Sequence, residues 1–211
     1  MSGSSKFPGF ENFYELRIGL SDRAYRAKIS MNGVDELGFM RGEGPFDREF
    51  SARWAMGGRV PSDFVGTTLA TPVIISQRVR DLLESEGFTG WVTHPCRVFG
   101  RDAEPYDHHL LGITGRCGPM NYSRSEVFTK LLPGGPTNYL RGEYFDESTW
   151  DGSDFVLAGK TVTKIITERV RGAFIKHKLR NITMPRLTEV EFGALEVGLK
   201  PPRPTVWNNG A

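Results

Sequence analysis

Residues 61–80 read PSDFVGTTLATPVIISQRVR, and residues 152–171 read GSDFVLAGKTVTKIITERVR. Set against each other without a gap at an offset of 91, they are identical at nine of twenty positions. Chance matching at about one position in sixteen would give about one. The shared residues are Ser62, Asp63, Phe64, Val65, Ile74, Ile75, Arg78, Val79 and Arg80, opposite Ser153, Asp154, Phe155, Val156, Ile165, Ile166, Arg169, Val170 and Arg171. Upstream, Arg41-Gly42-Glu43 with Phe46-Asp47 matches Arg141-Gly142-Glu143 with Phe145-Asp146, across a spacer about nine residues longer in the first copy. An internal duplication with loops of drifting length accounts for both, its copies spanning about residues 41–100 and 141–192.

Each copy reads as a strand feeding a helix. Val73-Ile74-Ile75 and Lys164-Ile165-Ile166 are short β-branched runs. Ser76 and Thr167 follow where an N-cap is wanted, their hydroxyls able to accept a first-turn amide. Val79, Leu82 and Leu83 then share one helical face, and Gly87 is a natural stop before Phe88. Val170, Ala173 and Phe174 share the other, with the helix running on towards Leu179.

Outside the copies the pattern is mostly strand. Phe13 to Ile18 and Tyr25 to Ile29 alternate, Trp91 to Phe99 gives strand pieces broken at Pro95, and His108 to Ile113 is a further strand. Thr183 to Phe192 reads as a closing strand, and 132–136 (LPGGP) as a mobile surface excursion. The fold class expected is α+β: two related strand–helix lobes, mostly antiparallel strands with short helices. One domain spans 13–199, between a flexible tail at 1–12 and a Pro-rich tail at 200–211, with Trp207 docked on the body. The 25 glycines and 13 prolines punctuate such short elements.

Composition excludes several classes. A hydrophobic share of 38% is too high for intrinsic disorder, and no apolar run approaches the roughly 20 residues of a spanning helix. A net charge of +2 is too balanced for a surface devoted to nucleic acid. Two cysteines cannot build a disulfide framework, and the start lacks a secretory signal, so a cytoplasmic protein with free thiols is expected.

No reactive constellation is complete. His94, Cys96, His108, His109 and Cys117 fall within about 25 residues, but adjacent strand histidines face opposite ways, so one is expected exposed and one packed, with no metal. Cys117 beside Arg116 is a thiol whose pKa a cation would lower. The glycine cluster 42–45 carries a proline where a phosphate would need an amide. Neither catalytic residues nor a cofactor site are expected.

Charge is unevenly spread. Residues 160–186 hold eight bases and one acid, Glu168, whereas 101–155 hold nine acids and five bases. Arg78, Arg80, Arg169 and Arg171 fall in first helical turns, where the dipole disfavours cations by about 0.3–1 kcal/mol. Ion pairing to Asp63 or Asp154 is the leading reading for them, with partner binding second.

The run Pro61 to Arg80, then Asp81-Leu82-Leu83-Glu84, Gly87, Pro95, Tyr106, Leu110-Leu111 and Ser125, resembles the immunity-protein family of bacterial polymorphic-toxin systems typified by a Myxococcus protein. That family's later strand–helix element is matched by Lys164 to Phe174, and the likeness covers roughly 60–192. The chain departs from it at 132–136 and at Asn121, where an acid is expected. The resemblance implies a non-enzymatic protein that binds and neutralises a cognate protein toxin. Candidate partner-binding residues are Arg169, Arg171, Lys176, Lys178 and Trp150, with Trp54 and Tyr144 as further exposed aromatic anchors. The alternatives are a nucleic-acid-binding module using 160–186, and a metal- or thiol-dependent enzyme working through His94, Cys96, His108 or Cys117.

Overall fold

The computed structural model describes residues 7–18, 21, 23–29, 31, 33–43, 49–68, 72–159 and 161–194. In chain order its strands are β1 (Phe13–Glu15), β2 (Arg17–Ile18), β3 (Arg26–Ile29), β4 (Phe50–Met56), β5 (Phe64–Thr67), β6 (Val73–Ser76), β7 (Trp91–Phe99) and β8 (Pro105–Ile113). There follow β9 (Gly115–Cys117), β10 (Glu126–Leu132), β11 (Gly135–Arg141), β12 (Phe155–Ala158), β13 (Lys164–Thr167), β14 (Ile182–Thr183) and β15 (Glu191–Gly193). The α-helices are α1 (Glu36–Met40), α2 (Gln77–Ser85) and α3 (Glu168–Lys176). The class is α+β with mostly antiparallel pairing, as the short β-branched runs and abundant turns dictate.

The two repeated segments occupy equivalent places. In each, a strand pair turns into a nine-residue helix: β5, β6 and α2 in one unit, β12, β13 and α3 in the other. β6 pairs antiparallel with β8, and β13 with β1. β5 pairs parallel with β3, and β12 with β9. The two sheets part beyond that point: β3, β4, β7, β8, β6 and β5 close into a barrel, while β1, β13, β12 and β9 stay open. The barrel interior holds Tyr25, Ile29, Phe50, Val65, Ile74, Cys96, Val98 and Leu110. A second core lies between the units, where Phe64, Ile75, Val79 and Leu83 meet Phe155, Ile166, Val170 and Phe174. Period-2 alternation puts one face of β5, β6 and β8 in each of these cores, while β12 and β13 turn Val156, Ala158 and Ile165 into a third, with Phe13, Cys117 and Phe145.

Several sequence expectations shift. Trp91 to Phe99 is one strand: the β8 ladder runs through Pro95↔His109, and β4 joins only from Cys96, so the proline sits where the strand's other side is an edge. The 132–136 excursion lies at the surface as the tight end of a hairpin, with Leu132 opposite Gly135 and Gly135 at φ 107. Thr183 to Phe192 is not one strand: β14, a 3₁₀ turn at Leu187–Glu189 and β15 replace it, because Pro185 interrupts pairing and Leu187 is buried. Residues 7–12 are packed: Phe7 stacks on Phe13 at 5.3 Å, and Phe10 is buried against Phe145. Aromatic spacing at 7, 10 and 13 outweighs the polar, tail-like composition before it. Residues 1–6, Phe46-Asp47, Lys160 and the tail at 200–211 with Trp207 lie outside the described residues.

Candidate partner-binding face

The repeated Asp and Arg form a reciprocal clamp between the units. The Arg78 guanidinium pairs with Asp63 at 3.3 Å and donates across to the His177 carbonyl at the end of α3. The Arg169 guanidinium pairs with Asp154 at 2.9 Å and donates across to the Glu86 carbonyl at the end of α2. Glu86 and His177 are themselves equivalent at the offset of 91. Each carboxylate also accepts a backbone amide from the opposite unit: Asp63 from Arg180 at 2.9 Å, Asp154 from Thr89 at 3.0 Å. The Thr167 hydroxyl donates to Asp154 at 3.0 Å and the Ser76 hydroxyl to Asp63 at 3.4 Å; Ser76 also accepts the Val79 amide and caps α2, whereas Thr167, against expectation, makes no side-chain cap. Both acids have side chains only 10% exposed, so the clamp is built on nearly buried carboxylates with charged and backbone donors.

The clamp absorbs one of the candidate binding residues, and a pair within α3 absorbs another. Arg169 is held by Asp154 and stacks on Phe88 at 4.6 Å. Arg171 pairs with Glu168 at 3.0 Å and lies over Tyr14 at 4.6 Å. Arg80 likewise pairs within its helix, with Glu84 at 2.8 Å. All four first-turn arginines are ion-paired, Arg78 and Arg169 to the expected aspartates and Arg80 and Arg171 to glutamates of their own helices instead.

Trp150 is not an exposed anchor. It is half-buried, edge-on to Phe7 and Phe13, with its indole N–H donated to the Ser153 carbonyl at 3.0 Å. It does share a cleft of about 540 Å³ with Asn12, Asp154, Thr167 and Arg169. Trp54 donates to the Gly58 carbonyl and Tyr144 is covered by Arg124 at 4.7 Å, so neither is free for an anchor role. Each ring had a local partner within a few residues or a cation to cover it, which composition alone does not reveal.

Lys176 and Lys178 stand apart, about 10 Å along the helix axis from Arg169. Both are exposed, and neither has an ion-pair partner among the described residues. Lys178 takes a left-handed φ of 51° at the position equivalent to Gly87, whose φ is 62°. The helix ends match otherwise: Phe88 N donates to Leu83 O and Leu179 N to Phe174 O. Yet the last turns differ in chemistry. α2 ends Glu84-Ser85-Glu86-Gly87, and α3 ends Ile175-Lys176-His177-Lys178, with Ile175 53% exposed. Exposed Arg180 extends this ridge.

The candidate reactive groups are packed away. His108 and His109 are both buried, against the expectation of one exposed, because α2 and the barrel cover opposite faces of β8. His109 meets the Gln77 side-chain oxygen at 2.6 Å, and Gln77 donates onward to Asp81. Burial lowers the pKa of His94, His108 and His109, with Arg80 adding to the effect on His109. A small cavity of about 180 Å³ touches Cys96, His108 and His109. No group of three metal-ligating side chains converges among the described residues. Cys96 and Cys117 are free, buried thiols. Burial pushes both up to about 12, and at Cys117 the charge of Asp151 adds to the rise, against the lowered value expected from Arg116, whose guanidinium is turned to the Ile113 and Arg41 carbonyls.

The sequence reading missed the β10–β11 hairpin and the Phe7–Phe10–Phe13–Phe145 cluster. The strand-forming run Val127-Phe128-Thr129 ahead of Pro-Gly-Gly was the signal for the first, and aromatic density for the second. Among the described residues no helix is long and apolar enough to cross a membrane. No protein-family model and no curated protein matches the chain.

Proposed function

We propose that this protein is a non-enzymatic, cytoplasmic immunity protein that binds and neutralises a cognate toxin through the ridge Ile175, Lys176, Lys178 and Arg180. The observation that carries the reading is the divergence of two otherwise matched helix ends. A helix C-terminus favours lysine by about 0.3–1 kcal/mol, which covers Lys176. It does not explain an exposed isoleucine, or a lysine held at a positive φ where the sibling helix has glycine. Left-handed backbone on a non-glycine residue costs roughly 1 kcal/mol and is retained where the side chain is used. Buried thiols and tethered histidines favour binding over chemistry.

The ridge suits an acidic protein surface with a small apolar pocket for Ile175. The two units read as products of one duplication, since the residues they share build the clamp and the cores on either side of it. Co-expression with the product of the adjacent gene tests the proposal. Rescued growth and a co-purifying complex are expected; no rescue and no complex would sink it. The same ridge supports a second reading, nucleic-acid binding, which would show as affinity falling steeply with salt.

A further inference from the structure

The outer face of β3, β4 and β7 gathers cations that no described acid pairs with. Ala27, Ile29, Ala52 and Val98 point into the barrel, so the alternate residues Lys28, Arg53, Arg97 and Phe99 point out. The ladders set Lys28 opposite Arg53 and Arg53 beside Phe99, with Ser51 beside Arg97 in the next row. A strand spacing of about 4.8 Å and a rise of about 3.3 Å per residue put the three cations within about 12 Å of one another. All three are exposed, and none is in an ion pair among the described residues. Asp107 stands opposite Arg97 at the β8 border of the face, and no ion pair joins the two.

Like charges directly opposite on neighbouring strands are destabilising, so the Lys28–Arg53 pair costs the free protein stability. Elsewhere exposed arginines are neutralised: Arg59 by Asp102, Arg124 by Glu147, Arg141 by Glu126 and Glu191. The Arg53 guanidinium lies over the half-buried Phe99 ring, 5.3 Å from its centroid. A planar cation beside an aromatic ring is a platform on which an unpaired base stacks. An acidic peptide would use the charge of this face and not the ring.

We infer that this face binds single-stranded nucleic acid, with phosphates on Lys28, Arg53 and Arg97 and a base stacked at Phe99. A duplex hides the faces of its bases, so the ring selects a single strand. The net charge of +2 argues against a whole surface of this kind, not against one face. The inference is independent of the toxin-binding reading, since the α3 ridge and the barrel face share no residue.

Fluorescence anisotropy of labelled oligothymidylate with the full chain is the test. Three phosphate contacts on a single strand give a slope of about −2 for log affinity against log salt, so affinity should fall about 20-fold between about 50 and 200 mM. K28Q, R53Q and R97Q should each reduce the size of that slope by about 0.7. K28Q should keep or raise the melting temperature, because it removes a cross-strand repulsion. F99L retains an apolar side chain and should weaken binding about fivefold or more, the loss of one stacked base. No binding at about 50 mM salt overturns the inference, as does undiminished binding by folded K28E/R53E. Tighter binding of a duplex, or equal competition by polyglutamate or by phosphatidylserine vesicles, overturns it by assigning the face to another partner. Binding lost in K176E/K178E and kept in K28E/R53E overturns it too, by moving the contact to the α3 ridge.

Discussion

Replacing Glu143 by glutamine should stabilise the protein at pH 8 and leave it unchanged at pH 4. Glu143 follows β11 and is 8% exposed, with its amide donated to the Leu187 carbonyl and its Oε2 lacking any hydrogen-bond partner. Burial, reinforced by the charge of Glu15 and partly offset by Arg17, raises its pKa from 4.5 to about 7. Raising a carboxyl pKa by one corresponds to about 1.4 kcal/mol, so the native state disfavours the ionised form by about 3 kcal/mol. Below pH 4.5 both states hold the proton and Glu143 costs nothing. Between 4.5 and 7 the unfolded chain releases its proton first, so stability falls as pH rises. Above about 7 the full penalty stands. Glutamine has the same shape and no charge, so the difference between E143Q and wild type should grow from zero to about 3 kcal/mol across that window. Urea unfolding at several pH values reads it directly, through the midpoint at constant slope. A difference that does not change with pH, or that shrinks as pH rises, would refute the reasoning.

The clamp predicts that D63N and D154N each destabilise by about 2–4 kcal/mol, since a nearly buried carboxylate holding a guanidinium and an amide is lost; equilibrium denaturation checks this, and similar costs are expected because the two sites match. G115A should cost about 1–3 kcal/mol, because a Cβ there would press into the carbonyl oxygen of Phe155, a backbone atom that cannot step aside. K178G should raise the melting temperature by relieving about 1 kcal/mol of left-handed strain while weakening partner binding, a split visible by pairing thermal denaturation with calorimetry. Cys96 and Cys117 should resist alkylation in the native protein and react once it is unfolded, as thiol counting would show.

What was readable in the sequence follows from which partners demand a particular side chain. Asp63 with Arg78 and Asp154 with Arg169 stand out because both ends of each ion pair need a specific residue. The second half of the clamp was invisible, since the His177 and Glu86 carbonyls are backbone atoms that any residue supplies. The barrel was hidden for a related reason: β4 meets β7, and β3 meets β5, through parallel ladders that leave no turn signal between the strands. Pro95 hid part of β7, because its missing N–H matters only where a strand has a neighbour on that side. At the candidate site, the basic character of 160–186 was legible, but the division of labour was not. Arg169 and Arg171 differ from Lys176 and Lys178 only in what lies opposite them in space.

Binding of the adjacent gene's product to wild type and to the double charge reversal K176E/K178E, measured by isothermal titration calorimetry, tests the proposed immunity function most directly. Both proteins should have the same melting temperature within a few degrees, since neither lysine has an ion-pair partner among the described residues. A tight complex is expected for wild type, and a loss of at least tenfold in affinity for the reversal. Equal affinity would contradict the ridge, and no heat with either protein would contradict the immunity function itself.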